Sequence, residues 1–260
     1  MRRRLCALAL AALGAATTGA AFAQTCRATS DARVRPLVEL YTSEGCNSCP
    51  PADRWLGSRF AARDIRAVPL AFHVDYWDRL GWVDRFASPA YTARQYASMR
   101  ANRATFVYTP QVLVQGRDFS AWQARGDAAI DAAAQRPARA ALDVSATPSR
   151  TSVAVDIQAT IDDAALRDDA RVFVAFVDSG LHSDVRAGEN RGERLSHDHV
   201  VRSLHTSGAP DAQGRIDMRV DIARPVEAGT SPAVVAFVQR ASNGDVLQTL
   251  PLPLHGCGGS

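Results

Sequence analysis

The chain contains no lysine: all 30 of its basic residues are arginine. That excludes a Schiff-base lysine, a phosphate-loop lysine and a lysine general base. A Gly-x-Ser-x-Gly nucleophile elbow is also missing. Ser183 and Ser196 stand near His and Asp in sequence, but without that elbow a hydrolase is not expected. There is no second Cys-x-x-Cys, so a tetrahedral zinc site built on the existing one would lack two ligands. After residue 23 no stretch is apolar for long enough to cross a bilayer. Internal repeats and low-complexity tracts are lacking too, and no cofactor is expected.

What is present begins with a leader. Arg2, Arg3 and Arg4 form a positive n-region, residues 5–16 an Ala/Leu-rich apolar run, and Ala21-Phe22-Ala23 a small-x-small cleavage site. Residues 1–23 therefore read as a secretory signal peptide, and a periplasmic or secreted protein is expected. Its removal takes three Arg and leaves 27 basic against 27 acidic residues. A balanced chain gives no electrostatic reason to expect nucleic acid as a partner.

Of five Cys, Cys6 belongs to the leader, and Cys26, Cys46, Cys49 and Cys257 remain. An even number in an oxidising compartment allows two disulfides. Four Cys permit three connectivities; the economical one pairs Cys46 with Cys49 and Cys26 with Cys257. The second bridge would tie the two ends of the mature chain together as a structural staple.

Residues 24–35 read as an N-terminal extension. From Pro36 the pattern alternates. A strand over residues 36–41 leads into a turn, then into a helix opened by Pro50-Pro51, where a missing N–H costs nothing. A second strand covers residues 67–74, a helix residues 90–102, and a third strand residues 111–114. Ser120 is the expected N-cap of a last helix running to about Gln135. Alternating strands and helices indicate an α/β layer structure over residues 36–137. Past Arg136-Pro137 the pattern turns to β. Val153, Val155 and Ile157 alternate with Ala154, Asp156 and Gln158, and Ile216, Met218, Val220 and Ile222 alternate with Asp217, Arg219 and Asp221. Residues 172–177 and 233–239 are continuous apolar runs, and Asn243-Gly244 marks a hairpin turn. Residues 138–256 are therefore expected to form a small β-sandwich, with a tail over 257–260 that carries Cys257.

Three features together resemble the thioredoxin superfamily: strand, Cys46-Asn47-Ser48-Cys49 and helix; the strand containing Phe72; and Thr109-Pro110 before the strand from Gln111 to Val114. More narrowly, residues 40–53 (LYTSEGCNSCPPAD) are similar to the signature of DUF1223, a family of exported proteins of unknown function. Residues 72–78 with Gly81-Trp82, and Gly188-Glu189-Asn190 with residues 199–202, resemble two further blocks of that family. The superfamily resemblance implies an α/β/α fold with a mixed sheet and places Pro110 where a cis-proline faces the cysteine pair. It also implies that Glu39 is the buried acid that moves protons, although it stands one residue further from the first Cys than in thioredoxin. Asn47-Ser48 replaces the Gly-Pro of thioredoxin, and Gly45 stands where thioredoxin has Trp.

A cysteine at a helix N-terminus meets unsatisfied N–H groups and the positive end of the helix dipole, which favour the attacking thiolate. Cys46 is then expected at the exposed tip as nucleophile, with Cys49 one turn further in as resolving thiol. Thr109 and Pro110 would present a partner's backbone. The expected partner is an envelope protein thiol or disulfide. The same spacing also serves a structural disulfide or a metal site. Copper or zinc would draw on His73, His197 and His199, since His197 and His199 share a face if they lie on a strand. The plainer expectations are that His73 is a half-buried histidine satisfied by a neighbouring carboxylate, and that Asp198 and Asn190 pin a long loop through backbone hydrogen bonds.

Overall fold

The computed structural model describes residues 24–60 and 66–255. The leader and Cys257 lie outside the described residues, and so do the expectations of a signal peptide and of a Cys26–Cys257 bridge. Elements follow in chain order: β1 (Cys26–Thr29), β2 (Leu37–Thr42), α1 (Pro50–Arg59), β3 (Val68–His73), α2 (Pro89–Ala101), β4 (Gln111–Val114), β5 (Arg117–Asp118) and α3 (Trp122–Ala134). After them come only strands and a short 3-10 turn: β6 (Ala141–Pro148), β7 (Ser152–Thr160), β8 (Ala170–Asp178), β9 (Leu181–Asp184), β10 (Arg194–His197), β11 (Val200–Thr206), β12 (Arg215–Ala223), β13 (Ala233–Arg240) and β14 (Val246–Pro253). A mixed α/β architecture dominated by strands results.

Local chemistry explains most boundaries. Ser88 caps α2 by accepting a hydrogen bond from Ala90 N at 3.2 Å, and Pro89 fills the first helical position. α3 departs from expectation. Its first turn closes on the Ala121 carbonyl, which accepts from Ala124 N and Arg125 N, so Ser120 lies outside the cap. The segment taken as an extension contains β1, which pairs antiparallel with β6 from Cys26↔Ala146 to Thr29↔Asp143. Asn243-Gly244 turns β13 into β14 as the dipeptide suggests, with Gly244 at φ 73°.

Residue 138 marks the change from helices and strands to strands alone, but it does not divide the sheet. One eight-stranded sheet runs β14-β13-β8-β11-β3-β2-β4-β5 and draws four strands from each side of that point. The two halves meet where β11 lies parallel to β3, with Val200 opposite Ala71 and Ala71 N bonded to His199 O at 2.8 Å. A second sheet, β1-β6-β7-β12, packs against the β14-β13-β8 end.

Alternation along the strands assigns the faces. Val172, Val174 and Phe176 of β8 join Leu142, Val144, Val155 and Ile157 in the core between the sheets. Phe173, Ala175 and Val177 turn the other way, toward a core with Leu70, Phe72 and Tyr91 under α2. In β2, Leu37 and Tyr41 share that α2 core, whereas Val38 and Leu40 pack with Ala52 and Leu56 of α1 and Ile130 of α3. The α2 core is thus continuous across both halves. The opposite face is shared between α1 and α3 at one end and the second sheet at the other.

Glu39 belongs to the α2 face. Its Oε1 accepts from Arg94 Nε at 2.8 Å, and Arg94 Nη2 reaches Gln239 on β13 at 2.9 Å. The guanidinium also lies over the rings of Phe72, Phe173 and Phe237. Glu39 therefore points away from α1 and the cysteine pair. The expectation that it serves as their acid is corrected by the strand's own alternation and by Arg94, which binds it.

Candidate functional site

β2 ends at Thr42, and the chain turns through Ser43-Glu44-Gly45 into the Cys-x-x-Cys loop. Cys46 N donates to Ser43 O and Cys49 N to Cys46 O, each at 3.2 Å. Cys49 is already helical in backbone (φ −79°, ψ −37°) and stands at the N-cap of α1, followed by Pro50 and Pro51. Ala52 N and Asp53 N both donate to Cys49 O. Cys46 and Cys49 form a disulfide with Cα atoms 5.5 Å apart.

The disulfide lies below the surface. Both cysteines are 0% exposed, while Asn47 and Ser48 between them are open to solvent. The expected exposed tip at Cys46 is corrected by a cover from the β half. In the loop between β9 and β10, the buried Asn190 Nδ2 donates to Glu44 O at 2.8 Å and to Cys46 O at 2.9 Å. The neighbouring Glu189 carboxylate accepts from Asn47 N at 3.1 Å. Asn190 does pin a loop through backbone bonds, and the backbone it holds is that of the cysteine loop. Asp198 acts similarly, accepting from Gly180 N at 2.9 Å.

Thr109-Pro110 is a cis peptide and sits at the same end of the sheet, because Gln111 pairs with Tyr41. The Thr109 hydroxyl accepts from Trp77 Nε1 at 2.9 Å, and Trp77 packs against Gly45, where a Cβ would meet Trp77 Cβ at 3.1 Å. Trp77 thus connects the cis-proline loop to the cysteine loop.

A buried polar group adjoins the pair. Glu44 sits two residues before Cys46. Its Oε2 accepts from Trp82 Nε1 at 2.6 Å and its Oε1 from Ser183 Oγ at 2.5 Å. His197 Nε2 lies 3.3 Å from Glu44 Oε1 at ion-pair distance without an aligned hydrogen bond, and His197 Nδ1 has no hydrogen-bond partner. His73 packs edge-on against His197 and binds Asp84 through Nδ1 at 2.7 Å. Asp84 also accepts from Glu44 N and Phe86 N. Burial alone would push the His73 pKa down; the Asp84 carboxylate outweighs it and holds it raised. Burial would likewise raise the Asp84 pKa, but the His73 charge holds it lowered. Both shifts favour the charged pair. His73 is therefore fully buried, and its carboxylate partner is Asp84 rather than the neighbouring Asp75, which binds Thr92.

His197 and His199 do not share a face. β10 ends at His197, and His199 follows in a left-handed conformation (φ 57°). His197 faces Glu44 and His73, whereas His199 turns toward the backbone of Phe60. Among the described residues, no three His, Cys, Asp or Glu are grouped so as to hold a metal ion. Sequence reasoning missed Glu44 and Asp84 as parts of this site. The signal for Glu44 was its position two residues before Cys46 in a short loop.

Burial pushes the His199 pKa down to about 4, against the Asp198 charge and the Phe60 backbone. The unfolded chain then binds this proton more readily than the folded one. Stability is full above about pH 6.5 and falls as pH drops toward 4, by roughly 3 kcal/mol from this residue alone. Urea unfolding at pH 7 and at pH 4 should therefore show a smaller acid loss in His199→Gln than in wild type. Equal losses in the two proteins would refute the assignment.

Fold and site define a strand-rich α/β protein with a covered disulfide at a helix N-terminus, beside a buried His/carboxylate group. The chain belongs to the family described as "Protein of unknown function (DUF1223)", whose pattern matches residues 37–239. It is similar to a protein of Agrobacterium tumefaciens solved by X-ray crystallography. The two are 31% identical, the match covers 86% of this chain and 96% of that one, and the TM-score is 0.60. It shares a fold with HBP35 of Porphyromonas gingivalis at 13% identity and a TM-score of 0.64, over 85% of this chain and 75% of that one. No curated protein matches the chain.

Proposed function

We propose that this is an exported, thioredoxin-like protein that carries out thiol–disulfide exchange in the cell envelope through Cys46 and Cys49. The observation that carries the reading is the disulfide at the N-terminus of α1, where the positive end of the helix dipole favours a thiolate. The Thr109-Pro110 segment at the same end of the sheet supports it. In this reading Cys46 attacks a partner disulfide, or is attacked by a partner thiolate, and Cys49 resolves. Thr109 and Pro110 offer backbone to an extended partner segment, and the β9–β10 loop must move aside first. Residues 1–23 supply the export signal.

A redox titration of the mature protein, with alkylation and mass readout of both cysteines, tests the reading. A potential between about −270 and −120 mV is expected, the range of exchange proteins. A value below about −300 mV marks a structural disulfide. The full burial of both cysteines favours that second reading, in which the pair is a staple and the β half binds another envelope protein.

A further inference from the structure

Thiol–disulfide exchange needs an acid–base group for the inner cysteine, and Glu39 lies on the wrong face of the sheet to supply it. Asp53 lies on the right one. Cys49 is helical, and Asp53 follows it by four residues, with Asp53 N bonded to Cys49 O at 3.1 Å. Residues four apart are neighbours on a helix surface. On its inner side Asp53 Oδ2 accepts from the buried Thr42 hydroxyl at 3.1 Å. His73 of β3 and His197 of β10 bear on it electrostatically, with Asp84 behind His73. On its outer side Asp53 is half-buried and lines a cleft of about 90 Å³ between α1 and β10, with Pro50, Arg54, Arg194, Leu195 and Ser196. That space is large enough for several waters. Gly57 of α1 leaves room for the Asp198 side chain just past β10: a Cβ there would stand 2.5 Å from Asp198 Oδ2.

We infer that Asp53 is the acid–base group for Cys49 and trades its proton with solvent through the cleft between α1 and β10. The inference rests on the exchange reading of the cysteine pair. In one direction, a thiolate of a dithiol partner attacks Cys46 Sγ. The Cys46–Cys49 bond breaks, its electron pair passes to Cys49 Sγ, and Asp53 protonates that sulfur. The partner's second thiolate then attacks the partner sulfur of the mixed disulfide. The partner leaves as a disulfide and Cys46 is released as a thiolate, so two electrons have moved to the protein. In the reverse direction Asp53 takes the proton of Cys49, which then attacks the mixed disulfide. Burial raises the Asp53 pKa while His73 and His197 oppose the rise, so this carboxyl keeps its proton to higher pH than an ordinary aspartate does.

The test follows exchange of the full mature chain with dithiothreitol, as rate against pH, in wild type, Asp53→Asn, Asp53→Glu and Thr42→Val. Asp53→Asn is expected to slow exchange at least 10-fold and to lose the wild-type inflection, while Asp53→Glu regains part of both. Thr42→Val removes a hydrogen bond to the carboxylate, so its inflection should move to higher pH. A merely structural Asp53 would not move that inflection. An Asp53→Asn protein with wild-type rate and pH profile overturns the inference. If Asp53→Asn does not fold, an unshifted inflection in Thr42→Val overturns it. Failure of wild type itself to exchange would instead refute the reading of the cysteine pair.

Discussion

Arg94→Ala should cost about 3–5 kcal/mol of folding stability, the loss that follows when one member of a buried ion pair is removed. The side chain of Glu39 is 0% exposed and that of Arg94 9%. Without the guanidinium, the carboxylate is left in an apolar core among Leu37, Tyr41, Phe72 and Phe237 with no cation. The variant also drops the bond to Gln239 and three ring contacts, which tie α2 to β3 of its own half and to β8 and β13 of the other. Urea unfolding measures the loss. Replacing both partners, Glu39→Leu with Arg94→Met, should recover most of it, because neither charge is then buried alone. A single variant within about 1 kcal/mol of wild type would show that water reaches Glu39, and the pair would not be the buried link described above.

That pair also shows where the sequence was legible and where it was not. The strand at Leu37–Thr42, the helix at Pro50 and the strand at Gln111–Val114 announce themselves through apolar runs and prolines. The alternation in β7 and β12 identifies the inner face of the second sheet equally well. Lateral pairing leaves no such mark. Nothing in residues 200–206 says that β11 lies against β3, so the change in pattern at residue 138 read as a domain boundary although the sheet continues through it. β1 reads as an extension in sequence because four mixed residues carry little periodicity, and only β6 makes them a strand. The site divides in the same manner. Cys46, Cys49, Thr109 and Pro110 stand in recognisable spacing. Glu44, Asp53 and Asp84 look like solvated carboxylates, yet Glu44 is enclosed by Ser183 and His197 from far along the chain, Asp84 is held by His73 and the Glu44 backbone, and Asp53 by Thr42. The direction of Glu39 follows from strand parity counted from Val38 and Leu40, once α1 is known to pack on those two.

Asn190→Ala should raise the rate at which a small thiol reduces the Cys46–Cys49 disulfide by about 5- to 150-fold. Asn190 is 5% exposed, and its single amide group donates to two carbonyls of the cysteine loop, those of Glu44 and Cys46. Alanine fills little of that space and leaves Glu44 O without its donor. A buried acceptor left unsatisfied costs about 1–3 kcal/mol, which corresponds to that range if the cost falls on the closed loop and not on its opened form. The loop has little else to hold it there. Glu189 contributes one bond, to Asn47 N, at an exposed position. Opening of a surface loop is a local event, so reduction should accelerate much more than global unfolding does. Asn190→Asp is the sharper variant. It keeps the size, but it replaces the donor with a carboxylate facing two carbonyl oxygens, and it should open the loop at least as far as alanine. Rates of reduction by dithiothreitol, measured beside urea stability for each variant, separate the two effects. If both variants are reduced at the wild-type rate, the β9–β10 loop does not govern access to Cys46. If reduction accelerates only in step with lost global stability, the sulfurs are reached by unfolding, and the disulfide behaves as a staple.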